Sequence, residues 1–234
     1  MSTREQMLFL KSLKEDGIEE IYGFQKSAAD SKTIETILKA AEPAADDLRE
    51  QMIALREETR LCQKCDQLCT SRQNVVFGSG SLNADLVFVG EAPGREEDEQ
   101  GLPFVGPAGQ LLTKIIEAIG YNRQQVFICN VLKCRPPQNR SPRPEEIINC
   151  RPYLKQQLAL IKPKMICALG NFAAQTLLNT QEPMARLRQS LHEYDGIKVT
   201  CTYHPAYLLR NPGDKRKVWE DMKKMKREID SMHS

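Results

Sequence analysis

The chain has 234 residues, of which 41% are apolar and 27% charged, and its formal net charge is +2. This length and apolar content predict a soluble globular protein with one domain of ordinary size and an appendage. No apolar run approaches the ~20 residues that span a bilayer, and nothing at the N-terminus resembles a signal peptide, so we expect a cytoplasmic protein without membrane contacts. Eight cysteines do not indicate a disulfide framework in that compartment.

Charge is distributed unevenly along the chain. Residues 1–60 carry 9 basic and 13 acidic side chains, whereas residues 61–234 carry 24 and 18, an excess that is compatible with a polyanionic partner. Residues 1–60 contain weak helical patterns with breaks at Gly17, Gly23 and residues 41–44, and the clearest pattern places Leu48, Met52 and Leu55 on one stripe. We interpret residues 1–60 as an accessory helical extension, which either packs on its own domain or binds a partner, and residues 61–234 as an α/β domain.

The cysteines fall into two groups. Cys62 and Cys65 form a Cys-x2-Cys pair, and Cys134 and Cys150 lie downstream with 15 residues between them. This spacing is typical of a four-thiolate metal site, and structural zinc and an iron–sulfur cluster both use such a set. Cys69 is a possible substitute ligand. Three further cysteines lie in apolar, strand-like runs and are predicted to pack in the core: Cys129, Cys167 and Cys201.

From about residue 75 the sequence alternates between strand and helix patterns. We predict strands over residues 86–89, 126–130, 165–169 and 197–202, and helices over residues 107–119, 144 to about 160, 171–178 and 214 to about 229. Pro152 should kink or interrupt the second helix, and Trp219 falls on the predicted buried stripe of the last one. Repeated strand–helix units predict an α/β three-layer sandwich whose four-stranded, mostly parallel central sheet is covered on both faces.

A glycine-rich stretch, residues 90–109, follows the first predicted strand and precedes a helix. It lacks GxxxxGK[ST], and Gly90-Glu-Ala-Pro-Gly94 is not GxGxxG, which argues against a nucleotide P-loop. Polar residues also follow the other predicted strands, at Asn130, at Gly170-Asn171 and in residues 203–212. Because ligands bind outside the carboxyl ends of parallel strands, these segments predict one site at one edge of the sheet.

These segments carry a specific resemblance, which extends from about Cys62 to the last helix and does not include residues 1–60. Gly90-Glu-Ala-Pro-Gly94, Glu97-Asp98, Gly101-Leu-Pro-Phe-Val-Gly106, Ala108-Gly-Gln-Leu-Leu112, Asn130-Val-Leu-Lys-Cys134 and His204-Pro-Ala-Tyr-Leu-Leu-Arg210 resemble the motifs of the family 4 uracil-DNA glycosylases. The resemblance implies a monofunctional enzyme of base excision repair that removes uracil from single- or double-stranded DNA. We expect a monomer, although the sequence does not determine the oligomeric state. It also implies a [4Fe–4S] cluster, in preference to zinc, at Cys62, Cys65, Cys134 and Cys150.

The resemblance gives roles to the residues at the sheet edge. Phe104 would stack on an extruded uracil, and the Asn130 amide can read O4 and N3–H. His204 would donate a hydrogen bond to O2 as charge develops on the departing base. Glu97 would fill the space beside C5 and so exclude the methyl group of thymine.

The group that activates water stays open at this point. Gly90, Glu91 and Ala92 would contribute to the pocket, but an aspartate stands at the position of Ala92 in family 1 relatives, where it is assigned to the water. Ala92 cannot act as a base. Either Glu91 takes over, or stabilisation of the leaving group and the DNA phosphates do most of the work.

Two basic segments flank the predicted pocket and are expected to contact DNA phosphates. The first, residues 133–143, contains Lys133, Arg135, Arg140 and Arg143, and the second leads to Arg210 and residues 215–217. Leu208 and Leu209 either wedge into the space left by a flipped base or pack in the core.

Two other functions are compatible with the sequence. One is a protein that binds uracil-DNA covalently through a histidine near the second cysteine pair, although residues 133–150 contain no histidine. The other is a metal-stabilised nucleotide-binding domain without hydrolase activity.

Overall fold

A computed structural model describes the backbone of residues 31–232 and the side chains of residues 46–232. Contacts divide the chain into two units, Met1–Ala45 and Asp46–Ser234. The side-chain packing given below belongs to the second unit. None of the helices in the described range is both long and apolar enough to cross a membrane.

The first described helix, α1, runs over Ser31–Arg60. The break that we predicted at residues 41–44 is therefore wrong: Pro43 removes one backbone N–H donor, but the helix continues through it. The predicted breaks at Gly17 and Gly23 lie outside the described residues. The predicted stripe is confirmed, since Met52 and Leu55 are buried and Leu48 is half-buried.

The sheet has six strands in the order β1-β3-β2-β4-β6-β5. The strands are β1 (Ser79–Gly80), β2 (Leu86–Gly90), β3 (Phe127–Asn130), β4 (Met165–Leu169), β5 (His192–Tyr194) and β6 (Ile197–Thr202). Strands β3, β2, β4 and β6 are parallel, whereas β1 and β5 pair antiparallel at the two edges. The four predicted strands are confirmed; the two short edge strands were not predicted.

Side chains of the central strands point alternately to the two faces of the sheet, and each face is covered by helices. Val87 and Cys129 pack on one face against helices α1, α5 (Pro144–Ile161), α6 (Asn171–Leu178) and α7 (Met184–Leu187). Phe88 and Cys167 pack on the other face against α4 (Pro107–Ala118), α8 (Pro205–Arg210) and α9 (Lys215–Ser231). Two short helices, α2 (Asp66–Ser71) and α3 (Arg95–Gln100), complete the set. The predicted three-layer architecture is confirmed.

Two details of the predicted helices differ from the structure. Of the kink or interruption predicted at Pro152, the interruption is wrong: helix α5 continues through Pro152, which lies on the exposed side of the helix, where water can satisfy the carbonyl that loses its partner. Trp219 is 42% exposed, whereas Val218, Met222 and Met225 form the buried stripe of α9. The three core cysteines, Cys129, Cys167 and Cys201, are buried as predicted.

Candidate active site and cysteine site

The carboxyl ends of β2, β3 and β6 meet at one edge of the sheet, where they border a cleft of about 430 Å³. Predicted residues from four segments line this cleft: Glu91, Ala92, Glu97, Phe104, Asn130, Arg140, His204 and Arg210. Gly90 lies directly behind it, against Asn130 and Phe104. The structure therefore brings together residues that are up to 119 positions apart, from Glu91 to Arg210.

Asn130 ends strand β3 and is only 1% exposed. Its backbone carbonyl accepts a hydrogen bond from Lys133 Nζ at 2.8 Å. Its side-chain Oδ1 is the one buried side-chain nitrogen or oxygen of the described residues that has no hydrogen-bond partner. Leaving such an atom unpaired costs about 1–3 kcal/mol, so the arrangement favours a ligand that donates a hydrogen bond to it.

Gly90 is predicted to be irreplaceable in this arrangement. A Cβ atom at this position would lie 2.3 Å from Asn130 Oδ1 and 2.6 Å from Phe104 Cζ. Gly90→Ala should therefore displace both side chains and lower the rate of a reaction that depends on the geometry of this cleft by ~10²-fold, measured in single turnovers. Gly213→Ala, where an added Cβ meets nothing within 4 Å, is the matched control. A Gly90→Ala variant with the wild-type rate would contradict this account.

His204 precedes helix α8 and caps its N-terminus, since Nδ1 accepts a hydrogen bond from the Ala206 N–H at 3.1 Å. Burial, assisted by the charge of Arg210, lowers the pKa of His204 to about 4. The ring is therefore neutral near pH 7, and a neutral ring whose Nδ1 accepts must carry its proton on Nε2. The Phe104 and His204 rings lie 5.5 Å apart at 30°, so they occupy adjoining walls of the cleft.

Glu91 is the first residue after strand β2 and is half-buried in the cleft. Burial raises the pKa of its carboxyl group, and no charged neighbour among the described residues counteracts that effect. A carboxylate in these surroundings is a stronger base than one in water. Ala92 beside it presents only a methyl group.

The basic residues of the 133–143 segment differ in what they can contact. Lys133 is fully buried, with Nζ donating to the Asn130 carbonyl and to Gln157 Oε1 at 2.6 Å, so our prediction that it contacts DNA is wrong. Arg140 pairs with the buried Glu146 through two hydrogen bonds, at 2.5 and 2.9 Å, although it also lines the cleft. Arg135 is half-buried and donates to Asn139 Oδ1.

The second basic segment begins in helix α8. Arg210 is exposed at the cleft. Leu208 is 1% exposed and packs in the core, so the prediction that it enters DNA is wrong. Leu209, one position further round the helix, is 47% exposed and is free of that constraint.

The four predicted ligand cysteines lie against the same part of the core: Cys62, Cys65, Cys134 and Cys150. Burial raises the pKa of Cys134 to about 12, although Arg72 partly opposes it, and raises the pKa of Cys150 to about 11, although Lys133 partly opposes it. Within the described residues, no three His, Cys, Asp or Glu side chains are arranged to hold a single metal ion. Cys69 donates its thiol to the Cys62 carbonyl at 3.5 Å.

Hydrogen-bond donors surround these thiols. Arg72 Nη1 lies 3.0 Å from Cys134 Sγ, the Lys133 backbone N–H 3.3 Å from Cys150 Sγ, and Asn149 Nδ2 3.5 Å from Cys65 Sγ. Donors of this kind stabilise thiolates and tune metal–thiolate centres, so the surroundings fit a cysteine-ligated metal group. The sequence did not identify Arg72, because a single arginine in a polar segment has no pattern that marks it.

Comparison with known proteins agrees with this geometry. The model of the uracil DNA glycosylase superfamily matches residues 77–223. The type-4 uracil-DNA glycosylase of Archaeoglobus fulgidus is 45% identical over 176 residues, covering 72% of this chain and 88% of that protein. Those of Thermotoga maritima and Saccharolobus solfataricus are 44% and 41% identical over 181 and 186 residues, each covering 76% of this chain and 94% and 86% of the relative. The chain belongs to the uracil DNA glycosylase superfamily and, within it, to the type-4 enzymes.

Proposed function

We propose that the protein is a monofunctional uracil-DNA glycosylase that hydrolyses the N-glycosidic bond of uracil in DNA and leaves an abasic site, the first step of base excision repair. The observation that carries this proposal is the buried Asn130 Oδ1 without a partner, in a cleft whose other walls are an aromatic ring and a neutral histidine. An enzyme that acts on a base must extrude it from the duplex into such a pocket.

Asn130 and Phe104 would select the base. In uracil N3–H is a donor and O4 an acceptor, so Asn130 Oδ1 accepts from N3–H while Nδ2 donates to O4; cytosine presents the opposite pattern. The Phe104 ring provides a face on which the base stacks. Glu97, in the same cleft wall, would occupy the space beside C5 and reject thymine.

His204 would stabilise the departing base. Charge builds up on uracil O2 as the glycosidic bond breaks, and a fixed donor at this point lowers the barrier. The Nε2–H of the neutral ring can donate to O2 without losing its proton, so uracil leaves as a stabilised anion and the sugar passes through an oxocarbenium-like state. Glu91 would then position the attacking water and accept its proton, since burial makes its carboxylate more basic.

The cofactor and partners belong to the same proposal. Cys62, Cys65, Cys134 and Cys150 would hold a [4Fe–4S] cluster, with zinc as the alternative. Two of these cysteines precede β2 in the sequence and two follow β3, so their ligation would join two separate segments of the chain. The partner is uracil-containing DNA, single- or double-stranded, contacted by exposed arginines such as Arg210. We place the activity in the cytoplasm, in a monomer, with residues 1–60 as an accessory extension.

Incubation with a uracil-containing oligonucleotide, followed by alkaline cleavage of abasic sites, tests the proposal directly. Strand cleavage only in the presence of uracil is the expected result, and Asn130→Ala should abolish most of it. A protein that retains uracil-DNA on a gel without releasing the base would instead be a binding protein, and one that does neither would be a nucleotide-binding domain without this activity.

Glu91→Gln separates two routes for water activation. If the Glu91 carboxylate accepts the proton, we expect a loss comparable to that of His204→Ala. The wild-type rate should then fall as the pH drops through the raised pKa of Glu91, because the protonated form cannot act as a base, and the variant should lose this acid limb. Near-normal single-turnover cleavage by Glu91→Gln would show that no side-chain base is needed.

A further inference from the structure

The backbone of Phe104 adopts an unusual conformation. Its φ angle is +53°, in the left-handed region that aromatic residues rarely occupy, and it lies between Pro103 and Val105 in the turn before helix α4. A residue persists in this region only when its surroundings hold it there, and such residues concentrate at functional sites. The contacts of the two peptide groups around Phe104 therefore show what fixes the ring in the cleft.

Glu97 binds the backbone N–H groups that follow Phe104 in this turn. Its Oε1 accepts hydrogen bonds from the backbone N–H groups of Val105 and Gly106 at 2.9 and 3.0 Å. Its Oε2 accepts another from the N–H of Gly94 at 3.1 Å. One carboxylate thus ties the turn that carries Phe104 to the loop that follows β2, through charge-assisted bonds of the stronger kind.

Arg123 binds the backbone carbonyl group of Phe104 and that of the residue before it. Its Nη2 donates to the Pro103 carbonyl at 2.8 Å and its Nη1 to the Phe104 carbonyl at 3.1 Å. Nη1 also lies 3.2 Å from Thr113 Oγ1, on helix α4. Two parallel donors on two successive carbonyls match the planar fork of a guanidinium, which the single ammonium group of lysine cannot reproduce.

The Phe104 carbonyl also has no room to move towards helix α4. A Cβ atom at Gly109 would lie 1.9 Å from the Phe104 oxygen, so the helix and this oxygen are in close contact. Arg123 itself is half-buried in the loop between α4 and β3 and is not among the residues that line the cleft. Its effect on a bound base must therefore pass through Phe104.

We propose that Arg123 is a positioning residue of the active site: it holds the Pro103 and Phe104 carbonyls, opposite the Glu97 carboxylate, and so fixes the ring on which the base stacks. This inference rests on the proposed function. It concerns preorganisation, because the ring is placed before the base arrives and no binding energy is spent on ordering it.

The experiment compares Arg123→Met and Arg123→Lys with wild type in single-turnover uracil release over a range of DNA concentrations. We expect the maximal rate of Arg123→Met to fall by ~10²-fold, the effect of a small misplacement, with little change in the half-saturating DNA concentration. Arg123→Lys keeps the charge but not the fork, and it should recover only a small part of the loss. Arg186→Met, which removes an exposed arginine of helix α7, is the matched control.

A double-mutant cycle distinguishes positioning from general stability. If Arg123 acts through the ring, Arg123→Lys should cost much less in a Phe104→Leu background than in wild type. Equal losses in both backgrounds, or wild-type rates in the Arg123 variants, would overturn the inference. If the wild-type protein releases no uracil, the proposed function is wrong. If the wild type is active and the Arg123 variants release uracil at the wild-type rate, only this inference is wrong.

Discussion

His204→Ala should lower the single-turnover rate of uracil release by ~10²–10³-fold, the usual cost of removing one preorganised donor from an oxyanion site. The Nδ1 atom is already bonded to the Ala206 N–H, so the Nε2–H is the one remaining donor of a ring that lines the cleft. DNA binding should change much less, because charge on O2 exists only as the bond breaks. Comparing single-turnover rates with DNA affinities measured by filter binding separates the two effects.

The pH dependence gives an independent check of the same role. Because burial holds the pKa of His204 at about 4, the ring stays neutral above about pH 5, and its titration should leave no step in the rate at higher pH. A step near the ordinary histidine pKa that disappears in His204→Ala would mean that a charged ring does the work. His192→Ala is the control, since His192 lies in β5 and bonds to the Leu187 carbonyl.

Cys134→Ala should lose the metal group and fold poorly. Cys134 is buried between Arg72 and the core, and its thiol takes a hydrogen bond from Arg72, so removing it would take one ligand from the proposed metal group and one acceptor from the guanidinium. Purified wild type should be brown and contain iron, measured by visible absorbance and metal analysis. Cys201→Ala should keep the metal and the fold, because Cys201 only packs in the core.

Two results would change this assignment in different ways. One zinc and no iron per chain would replace the cluster by a structural zinc while leaving the four ligands unchanged. Full metal content in Cys134→Ala would remove Cys134 from the ligand set and direct attention to Cys69, whose thiol bonds to the Cys62 carbonyl nearby.

The central sheet could be predicted because its strands leave a strong pattern. Strands β2, β3 and β4 are buried at every position and read as continuous apolar runs between turn residues. Their order along the chain then places the polar residues of the glycine-rich stretch, Asn130 and His204 at one edge, as the cleft confirms. The edge strands β1 and β5 have two and three residues, too few to show a period of two.

The remaining errors arise where a side chain's surroundings decide its role. Lys133 looked like a surface cation, but two acceptors, on Asn130 and Gln157, satisfy its ammonium group inside the protein. Leu208 and Leu209 are adjacent and chemically identical, so only the packing of α8 determines which one is buried. Arg123 has no sequence signal, because the carbonyls that it holds lie about twenty positions earlier in the chain.

During synthesis of the chain, the groups that would read the base are made before the group that would stabilise the departing base. The groups that would read the base, Phe104 and Asn130, and the last cysteine ligand, Cys150, are all present before β4 begins. His204 follows β6, and helix α9, which covers one face of the sheet, comes after it. Proteins are made from the N-terminus, so a chain interrupted between β4 and β6 would carry the groups proposed to read the base without His204, the group proposed to stabilise the departing base. We expect such a chain to release uracil more slowly than the complete protein, because it would lack the donor that His204 would offer to the departing base.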